Sequence, residues 1–230
     1  FGKFGISLDC QVSLRINVKP AFPVRRLSDK NYSLRLEAQI ESPTVPQGTA
    51  AAKTQSLETL ETKVAGELRV NAKAFWSGAA LGAANTGPYP PRVNQTTQYT
   101  VHWTVSTYGV DVSNIELSGF LQSGARFTGK VKSSIESVPV YDAASGRVTW
   151  VIPALPANKG YVGAPAEAIF QVEFAPAVNQ VGQEAVIFGE TAAKGTDEFT
   201  KRALSSSDLA LTTSLPDDTS APQGDRRIAP

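Results

Sequence analysis

Cysteine and histidine occur once each in this chain of 230 residues, and methionine is absent. The single cysteine, Cys10, excludes an intrachain disulfide and any metal site built from several thiolates. The single histidine, His102, excludes a histidine-rich metal site. Because methionine is missing even at position 1, we expect the polypeptide to be a processed or truncated piece of a longer product.

Long apolar runs and blocks of one charge sign are also missing. The apolar stretches are of strand length, well short of the ~20 residues that a membrane helix needs. The N-terminus has no basic segment followed by an apolar signal core. Lysine and arginine number 22 against 21 aspartates and glutamates. We therefore predict neither a nucleic-acid partner nor membrane insertion within this chain.

Short alternating runs of apolar and polar residues are abundant, with turn residues between them, as is typical of antiparallel β-sandwiches. The segment QYTVHWTVS places Trp103 on a core face and His102 on the solvent face. The segment VYDAASGRVTWVI predicts a β-hairpin, in which Gly146 takes the positive φ that the turn requires. On the same alternation, Trp150 points into the core.

One strand pattern occurs twice. The segments LRINVKPAF (14–22) and FQVEFAPAV (170–178) both place three apolar residues on alternate positions before Pro-Ala. The segments ELRVNAK and DLALTTS align as a closing strand in each copy, with Leu68 and Val70 matching Leu209 and Leu211. This repetition predicts two sandwich units in series.

The stretch SGAALGAANTGPYPPRVNQTTQ separates the two copies. Its small residues and prolines cannot build a core, so it predicts a boundary near Asn85. Before it, TQSLETLETKVAGELRV is the best helix candidate, because Leu57, Leu60 and Val64 recur at three- and four-residue spacing. Part of that segment is nevertheless interpreted as a linker followed by a strand.

Residues 86–215 carry a Tyr-x-Val-x-x-x-Val opening strand and a Tyr-x-x-x-x-Gly-x-Val-x-Trp hairpin. With these motifs the segment resembles the conserved-repeat immunoglobulin-like domains of unknown function in large bacterial cell-surface proteins. Gln122 and Ser123 stand where that family has proline, and extra residues precede Gly160. The matching positions are Tyr99, Val101, Val105, Val112, Asn114, Ile115, Leu121, Gly124, Phe127, Tyr141, Gly146, Val148, Trp150, Leu155 and Gly160.

The resemblance implies an all-β chain of tandem immunoglobulin-like antiparallel β-sandwiches. We predict a partial unit, the C-terminal half of a repeat, at residues 1–84. A complete unit follows at 85–215, and a polar tail or linker at 216–230. The partial unit lacks its opening strands, so its apolar sheet face needs strands from upstream in the parent polypeptide or from a neighbouring molecule.

In function, the resemblance implies a non-catalytic structural module of a stalk, filament or surface layer, located at the cell surface or outside the cell. The expected partners are other copies of the chain or neighbouring surface proteins. Two alternatives stay open: an adhesin or carbohydrate-binding module, and an accessory domain of a secreted enzyme. No cofactor is predicted.

Few residues are candidates for binding. Trp76, Tyr89 and Tyr108 have loop or boundary contexts, so they are the candidates for contacting a glycan or another partner. The acidic pairs Asp197-Glu198 and Asp217-Asp218 lack the spacing of a calcium loop, so they are interpreted as solvated charge and no metal site is predicted. Asn31 and Asn94 fit the short glycosylation pattern, which arises often by chance.

Overall fold

The computed structural model describes residues 22–42, 54–222 and 224–230, together with the single positions 13, 15 and 17. In this part of the chain, regular structure consists of β-strands and one short 3-10 helix, Val178–Gln180. The predicted all-β class is confirmed. The predicted strand containing Leu14, Ile16 and Val18 lies outside the described residues.

The strands form two larger antiparallel sheets and two short ones. The first sheet has the spatial order β3 (Glu67–Phe75), β4 (Thr97–Tyr108), β9 (Ala166–Phe174) and β6 (Ala125–Ser133). The second has the order β12 (Ala203–Asp208), β11 (Thr191–Asp197), β5 (Val112–Phe120), β8 (Arg147–Leu155) and β7 (Val140–Asp142). The two-stranded sheets are β1 (Ser33–Ser42) with β2 (Thr54–Lys63), and β10 (Val186–Phe188) with β13 (Leu211–Thr212).

The order of the strands is that of an immunoglobulin-like sandwich. Strands β3, β4, β9 and β6 occupy the positions of strands A, B, E and D in one sheet. Strands β5, β11 and β12 occupy those of C, F and G in the other. The hairpin of β7 and β8, predicted from VYDAASGRVTWVI, is added beside β5, and Gly146 in its turn has a φ of 71°.

Apolar side chains from both sheets meet in one core. Trp103 of β4 and Trp150 of β8 are fully buried, which confirms their predicted positions on core faces. Trp103 Nε1 donates to Thr191 Oγ1 at 3.0 Å, and Trp150 Nε1 donates to the carbonyl oxygen of Ser137 at 3.0 Å. Because each indole N–H has an acceptor, the two largest side chains of the core carry no desolvation penalty from an unmade hydrogen bond.

The position of β3 differs from the prediction. The alignment of the two repeated segments within this chain assigned β3 to the first unit, as its closing strand before the boundary at residue 84. The structure instead pairs β3 with β4 from Glu67 opposite Tyr108 to Phe75 opposite Thr100. Leu68 and Val70 are buried in the shared core. Of their supposed counterparts, Leu209 is 82% exposed and Leu211 is buried in that same core, so the two segments belong to one sandwich. The alignment misled because alternation identifies a strand without identifying its partner.

The C-terminal segment also differs from the predicted polar tail at 216–230. Asp218 and Ile228 are both buried, and Ile228 belongs to the hydrophobic core. The Asp218 carboxylate accepts hydrogen bonds from the backbone amides of Trp76 and Ser77, each at 2.8 Å. Ala229 forms a β-bridge with Arg92. One buried aspartate and one isoleucine thus hold a segment whose composition is otherwise that of a linker.

Residues 54–63, the first part of the helix candidate, form strand β2. Leu57 and Leu60 therefore lie on opposite faces of a strand instead of on one face of a helix. The linker-and-strand interpretation of the following residues agrees with β3. No α-helix is present among the described residues.

Candidate functional site

Strands β1 and β2, together called the ribbon, stand apart from both large sheets and join the sandwich at their base. The backbone amide of Asn31 donates to the carbonyl oxygen of Gly109 at 2.8 Å, and that of Val64 donates to Tyr32 at 2.8 Å. Lys63 Nζ donates to the carbonyl oxygen of Phe199 at 3.1 Å. These contacts fix the end of the ribbon that lies next to the sandwich.

An ion pair between Lys30 and Asp111 reinforces the base of the ribbon. Asp111 also accepts a hydrogen bond from the backbone amide of Ala157 at 2.8 Å. Partial burial opposes ionisation of Asp111, but the hydrogen bonds from Lys30 and Ala157 outweigh it and lower the pKa of the carboxyl group. The carboxylate is therefore the form that holds this end of the ribbon.

Beyond its base, the ribbon exposes large aliphatic side chains. Ile40 is 72% exposed, Leu60 is 62% exposed and Leu57 is 59% exposed. Leu36 lies opposite Leu60 in the pairing register, and alternate residues of a strand share a face. One face of the ribbon therefore carries five aliphatic side chains, four of them on β1, while β2 adds Thr62, Glu58 and Ser56 to the same face. We call the five aliphatic side chains the apolar face: Leu34, Leu36, Ala38, Ile40 and Leu60.

Both outer edges of the ribbon are also open. Within the described part of the chain, β1 and β2 pair only with each other. The backbone groups on the far side of each strand thus face no strand of residues 22–42, 54–222 or 224–230, and such an edge is a template for pairing with another chain. An apolar face and two free edges in one projecting element make the ribbon the candidate interaction surface.

The edges of the sandwich are protected by contrast. Strand β6 carries Arg126, Lys130 and Lys132 and has a bulge between Phe127 and Val131. Strand β7 is only 3 residues long. Edges β3 and β12 are joined by side chains, with the backbone amide of Val70 donating to Ser206 Oγ at 3.2 Å. Charge, bulges and short length are the usual devices against edge pairing, and the ribbon has no bulge.

The predicted aromatic residues fall into two places. Trp76 stacks on Tyr89 with ring centroids 5.5 Å apart. Trp76 Nε1 donates to the carbonyl oxygen of Gly87 at 3.3 Å, and the Tyr89 hydroxyl donates to that of Thr213 at 3.2 Å. Both rings are half-buried and pack against the core. This pair connects the segment after β3 to the C-terminal segment.

Tyr108 lies at the opposite end of the sheet, since it ends β4 opposite Glu67. Its ring meets Tyr161 edge to face with centroids 4.8 Å apart, and its hydroxyl donates to the carbonyl oxygen of Phe22. Phe22 in turn stacks on Tyr32 at 4.7 Å. Tyr108 therefore does not share a patch with Trp76 and Tyr89, but it belongs to an aromatic cluster beside the ribbon base.

One member of each acidic pair, Asp197 or Asp218, accepts hydrogen bonds from backbone amides, while Glu198 and Asp217 are exposed. Asp197 and Asp218 are buried, so they are not the solvated charge that the sequence suggested. Asp197 accepts hydrogen bonds from the backbone amides of Gly66, Phe199 and Thr200 at 2.8 to 2.9 Å. Among the described residues, no group of three or more histidine, cysteine, aspartate or glutamate side chains is placed to hold a metal ion.

His102 lies on the outer face of its sheet, as the alternation predicted, but it is partly covered there. Its Nδ1 is 3.1 Å from Glu167 Oε1, and its ring meets Phe75 edge to face at 4.9 Å. These neighbours are a carboxylate and a phenyl ring. The contacts are those of a packed surface side chain.

Comparisons with other proteins give low similarities. No family model and no curated protein match the chain. A variant of BcpA, the major pilin subunit of Bacillus cereus, is 11% identical with a TM-score of 0.38, covering 79% of this chain and 47% of its own. The C-terminal domain of the AgI/II polypeptide BspA of Streptococcus agalactiae is 12% identical with a TM-score of 0.39, covering 81% and 60%. A GH20 exo-β-N-acetylglucosaminidase from Vibrio harveyi is 8% identical with a TM-score of 0.32, covering 63% and 18%.

The chain thus spans about half the length of the pilin subunit that it matches, 47%. All three TM-scores lie below 0.5, so the immunoglobulin-like fold stands on the strand order described above. In the described part of the chain, no helix is long and apolar enough to span a membrane.

Proposed function

We propose that this chain is a non-catalytic structural module of a bacterial cell-surface or extracellular appendage, and that the ribbon is its contact with a neighbouring protein. The observation that carries the proposal is the exposure of the apolar face on an element with two free edges. The resemblance of residues 86–215 to surface-protein repeats supports the bacterial and extracellular setting.

The energetics of the ribbon favour a partner. An isolated two-stranded hairpin is at best marginally stable in water, whereas three or more strands with a covered apolar face are stable. Burying one exposed leucine or isoleucine contributes about 1.5–3 kcal/mol. Ile40 and Leu60 are each more than half exposed, so a partner that covers them stabilises both the ribbon and the complex.

The sandwich beneath the ribbon suits a mechanical role. Its two sheets share a single core, and its edge strands are protected against pairing with strands of other chains. A rigid body with one projecting contact element is the kind of unit that spaces or stiffens an assembly. The proposed partners are other copies of the chain or neighbouring surface proteins.

The test is to locate the protein on intact cells of its source organism and to compare it with a variant lacking the ribbon. Residues 34–62 are replaced by a short Gly-Ser turn, which leaves the base contacts of Asn31 and Val64 in place. We expect immunogold labelling of the parent protein on surface structures and loss of its incorporation in the variant. An intracellular location, or equal incorporation of the variant, contradicts the proposal.

A second candidate is an adhesin or carbohydrate-binding module. The observation that favours it is the pairing of aromatic rings at two surface positions, Trp76 with Tyr89 and Tyr108 with Tyr161, since aromatic faces stack on sugar rings. A glycan-array screen of the parent protein tests it, with Trp76→Ala and Tyr161→Ala as the variants. Binding that either substitution abolishes supports this candidate, and no binding to any glycan speaks against it.

A further inference from the structure

We propose that a second copy of this chain binds the free edge of β1, and that the two β1 strands pair antiparallel about Ala38. This inference rests on the proposed role of the ribbon as a contact element and names its partner. The result is a symmetric dimer, in which each copy contributes the same edge. The contact joins two ribbons into one sheet of four strands.

The sequence of β1 is complementary to itself in this register. Residues directly opposite each other in an antiparallel pair point to the same face of the sheet. With Ala38 opposite Ala38 of the second copy, Leu36 lies opposite Ile40 and Arg35 lies opposite Glu41. The aliphatic pairs fall on one face and the ion pairs on the other, and each pair occurs twice because of the symmetry.

The neighbouring registers are worse. Keeping the faces matched restricts a slip to steps of two residues along a partner strand. One such step places Glu37 opposite Glu37 of the second copy, and the step in the other direction places Glu37 opposite Glu41. Like charges directly opposite each other destabilise a strand pair. The register centred on Ala38 is therefore favoured over both neighbours and keeps most of the strand paired.

The outer edge of β2 is not complementary to itself. If the β2 strands of two copies paired antiparallel about Glu58, Glu58 would lie opposite Glu58. If they paired about Thr59, Glu58 would lie opposite Leu60. The first opposes like charges, and the second brings a carboxylate against an aliphatic side chain. Of the two free edges of the ribbon, only that of β1 has a long register that matches charge with charge and aliphatic with aliphatic.

Pairing of β1 with a second copy breaks only weak contacts within the single chain. In the single chain Arg35 pairs with Glu37 at 2.7 Å, with side chains 63% and 51% exposed, and an ion pair so exposed contributes little stability. Glu41 accepts exposed hydrogen bonds from Gln39 Nε2 at 2.5 Å and Gln55 Nε2 at 2.9 Å through Oε1, and a carboxylate has lone pairs for a further donor. Arg35 can therefore turn to Glu41 of the second copy at small cost. In the dimer the aliphatic side chains of the two β1 strands become one continuous stripe, flanked by Leu60 and Glu58 of each ribbon, and this stripe is available to a further surface protein.

Disulfide cross-linking tests the register directly. In the full chain with Cys10→Ser, Ala38→Cys places two thiols opposite each other across the symmetry axis, at a Cβ separation of about 4.5–5.5 Å. The matched control is Thr59→Cys, at an exposed position on β2. We expect mild oxidation to give a covalent dimer with Ala38→Cys and none with Thr59→Cys. Equal cross-linking of the two variants, or none with Ala38→Cys, overturns the proposal.

Charge reversal gives an independent readout that needs no cysteine. Glu41→Arg places arginine opposite Arg35 of the second copy twice, while its own partner in the ribbon is the neutral Gln55, and we expect the dimer dissociation constant from sedimentation to rise at least about tenfold. Adding Arg35→Glu and Glu61→Arg exchanges the charges across the dimer and keeps opposite charges paired within the ribbon, so the triply substituted chain should dimerise like the parent. A parent chain that stays monomeric overturns the inference, as does a triple variant no better than Glu41→Arg.

The two proposals fail in different ways. If the parent is monomeric but removal of the ribbon still abolishes incorporation at the cell surface, self-pairing is wrong and the proposed function stands. If the parent dimerises through β1 but the protein is intracellular, the proposed function is wrong and the dimer stands as a property of the ribbon.

Discussion

The backbone amide of Ala72 in β3 donates a hydrogen bond of 2.7 Å to the carboxylate of Asp208 in β12. This bond crosses from one sheet to the other at the edge of the sandwich. The same carboxylate also accepts a hydrogen bond from Asn71 Nδ2 at 3.1 Å. An edge amide that would otherwise be open to another chain thus has an internal acceptor.

Removing this acceptor should destabilise the fold. Asp208→Leu leaves the backbone amide of the buried Ala72 without its hydrogen-bond acceptor, which costs about 1–3 kcal/mol. Urea unfolding measures the loss, and light scattering measures the aggregation expected from the opened edge. Asp208→Asn keeps a carbonyl oxygen as acceptor and is the control. Equal stability of the Leu variant and the parent would show that the bond does not protect the edge.

Trp150→Ala should unfold the sandwich or bring it close to unfolding. Deleting a fully buried aromatic side chain costs about 3–5 kcal/mol, and a domain is stable by only about 5–15 kcal/mol. Thermal unfolding followed by circular dichroism measures the change. Trp76→Ala is the comparison, because that ring is only half-buried, and its loss should be clearly smaller. A melting temperature within a few degrees of the parent would refute the core role of Trp150.

Alternation in the sequence was sufficient to place most of the sandwich strands. The core positions of Trp103 and Trp150 and the turn at Gly146 follow from period two and turn chemistry alone. The partner of β3 does not follow from them, because strand pairing is a long-range choice that neither Leu68 nor Val70 encodes locally. That choice decides where the sandwich begins.

The candidate site was less predictable. Leu57 and Leu60 have a spacing that suits a helix, and only their pairing with β1 shows them to be strand residues. The sequence indicated an apolar sheet face in the partial unit at residues 1–84, but sequence cannot tell a covered face from an exposed one. The anchoring of the C-terminal segment depends on Asp218, and a polar composition conceals such a contact.

Acid should release the C-terminal segment. Burial opposes ionisation of Asp218, but hydrogen bonds from Ser77, Trp76 and Ser220 outweigh it and lower its pKa below the ordinary value of 3.8. A lowered folded-state pKa means that the stabilisation is complete above the unfolded value and is lost as pH falls through the folded one. The protection factors for hydrogen exchange at Ala221 and Ile228, which compare each amide with an unfolded peptide at the same pH, should therefore fall below about pH 4.

Substitutions identify the group responsible. Asp218→Asn should loosen the same segment at neutral pH and reduce the further change on acidification. Asp217→Asn is the control, because Asp217 makes only an exposed ion pair with Lys73 at 2.9 Å. If Asp217→Asn had the larger effect, the buried carboxylate would not be the anchor.

The last prediction concerns which residues are needed for the sandwich to fold on its own. The sequence suggested residues 85–215 as a complete sandwich, whereas β3 and Ile228 lie in its core. A fragment of residues 64–230 should therefore fold as a protected monomer. Its melting temperature should fall by several degrees and no more, because the fragment loses the carbonyl acceptors of Arg26 and Asp29 for the buried Asn158 side chain, at 3.1 and 2.7 Å, but keeps the whole core of the sandwich.

A fragment of residues 85–215 should fail, because it lacks β3 and leaves one side of the core and the edge of β4 exposed. We expect it to aggregate, or to show fast hydrogen exchange at Val101 and Val105, which pair with Ala74 and Val70 of β3. Size-exclusion chromatography and amide exchange on both fragments decide between the two limits. A folded, protected monomer from residues 85–215 would mean that β3 is an addition to a sandwich that is complete without it.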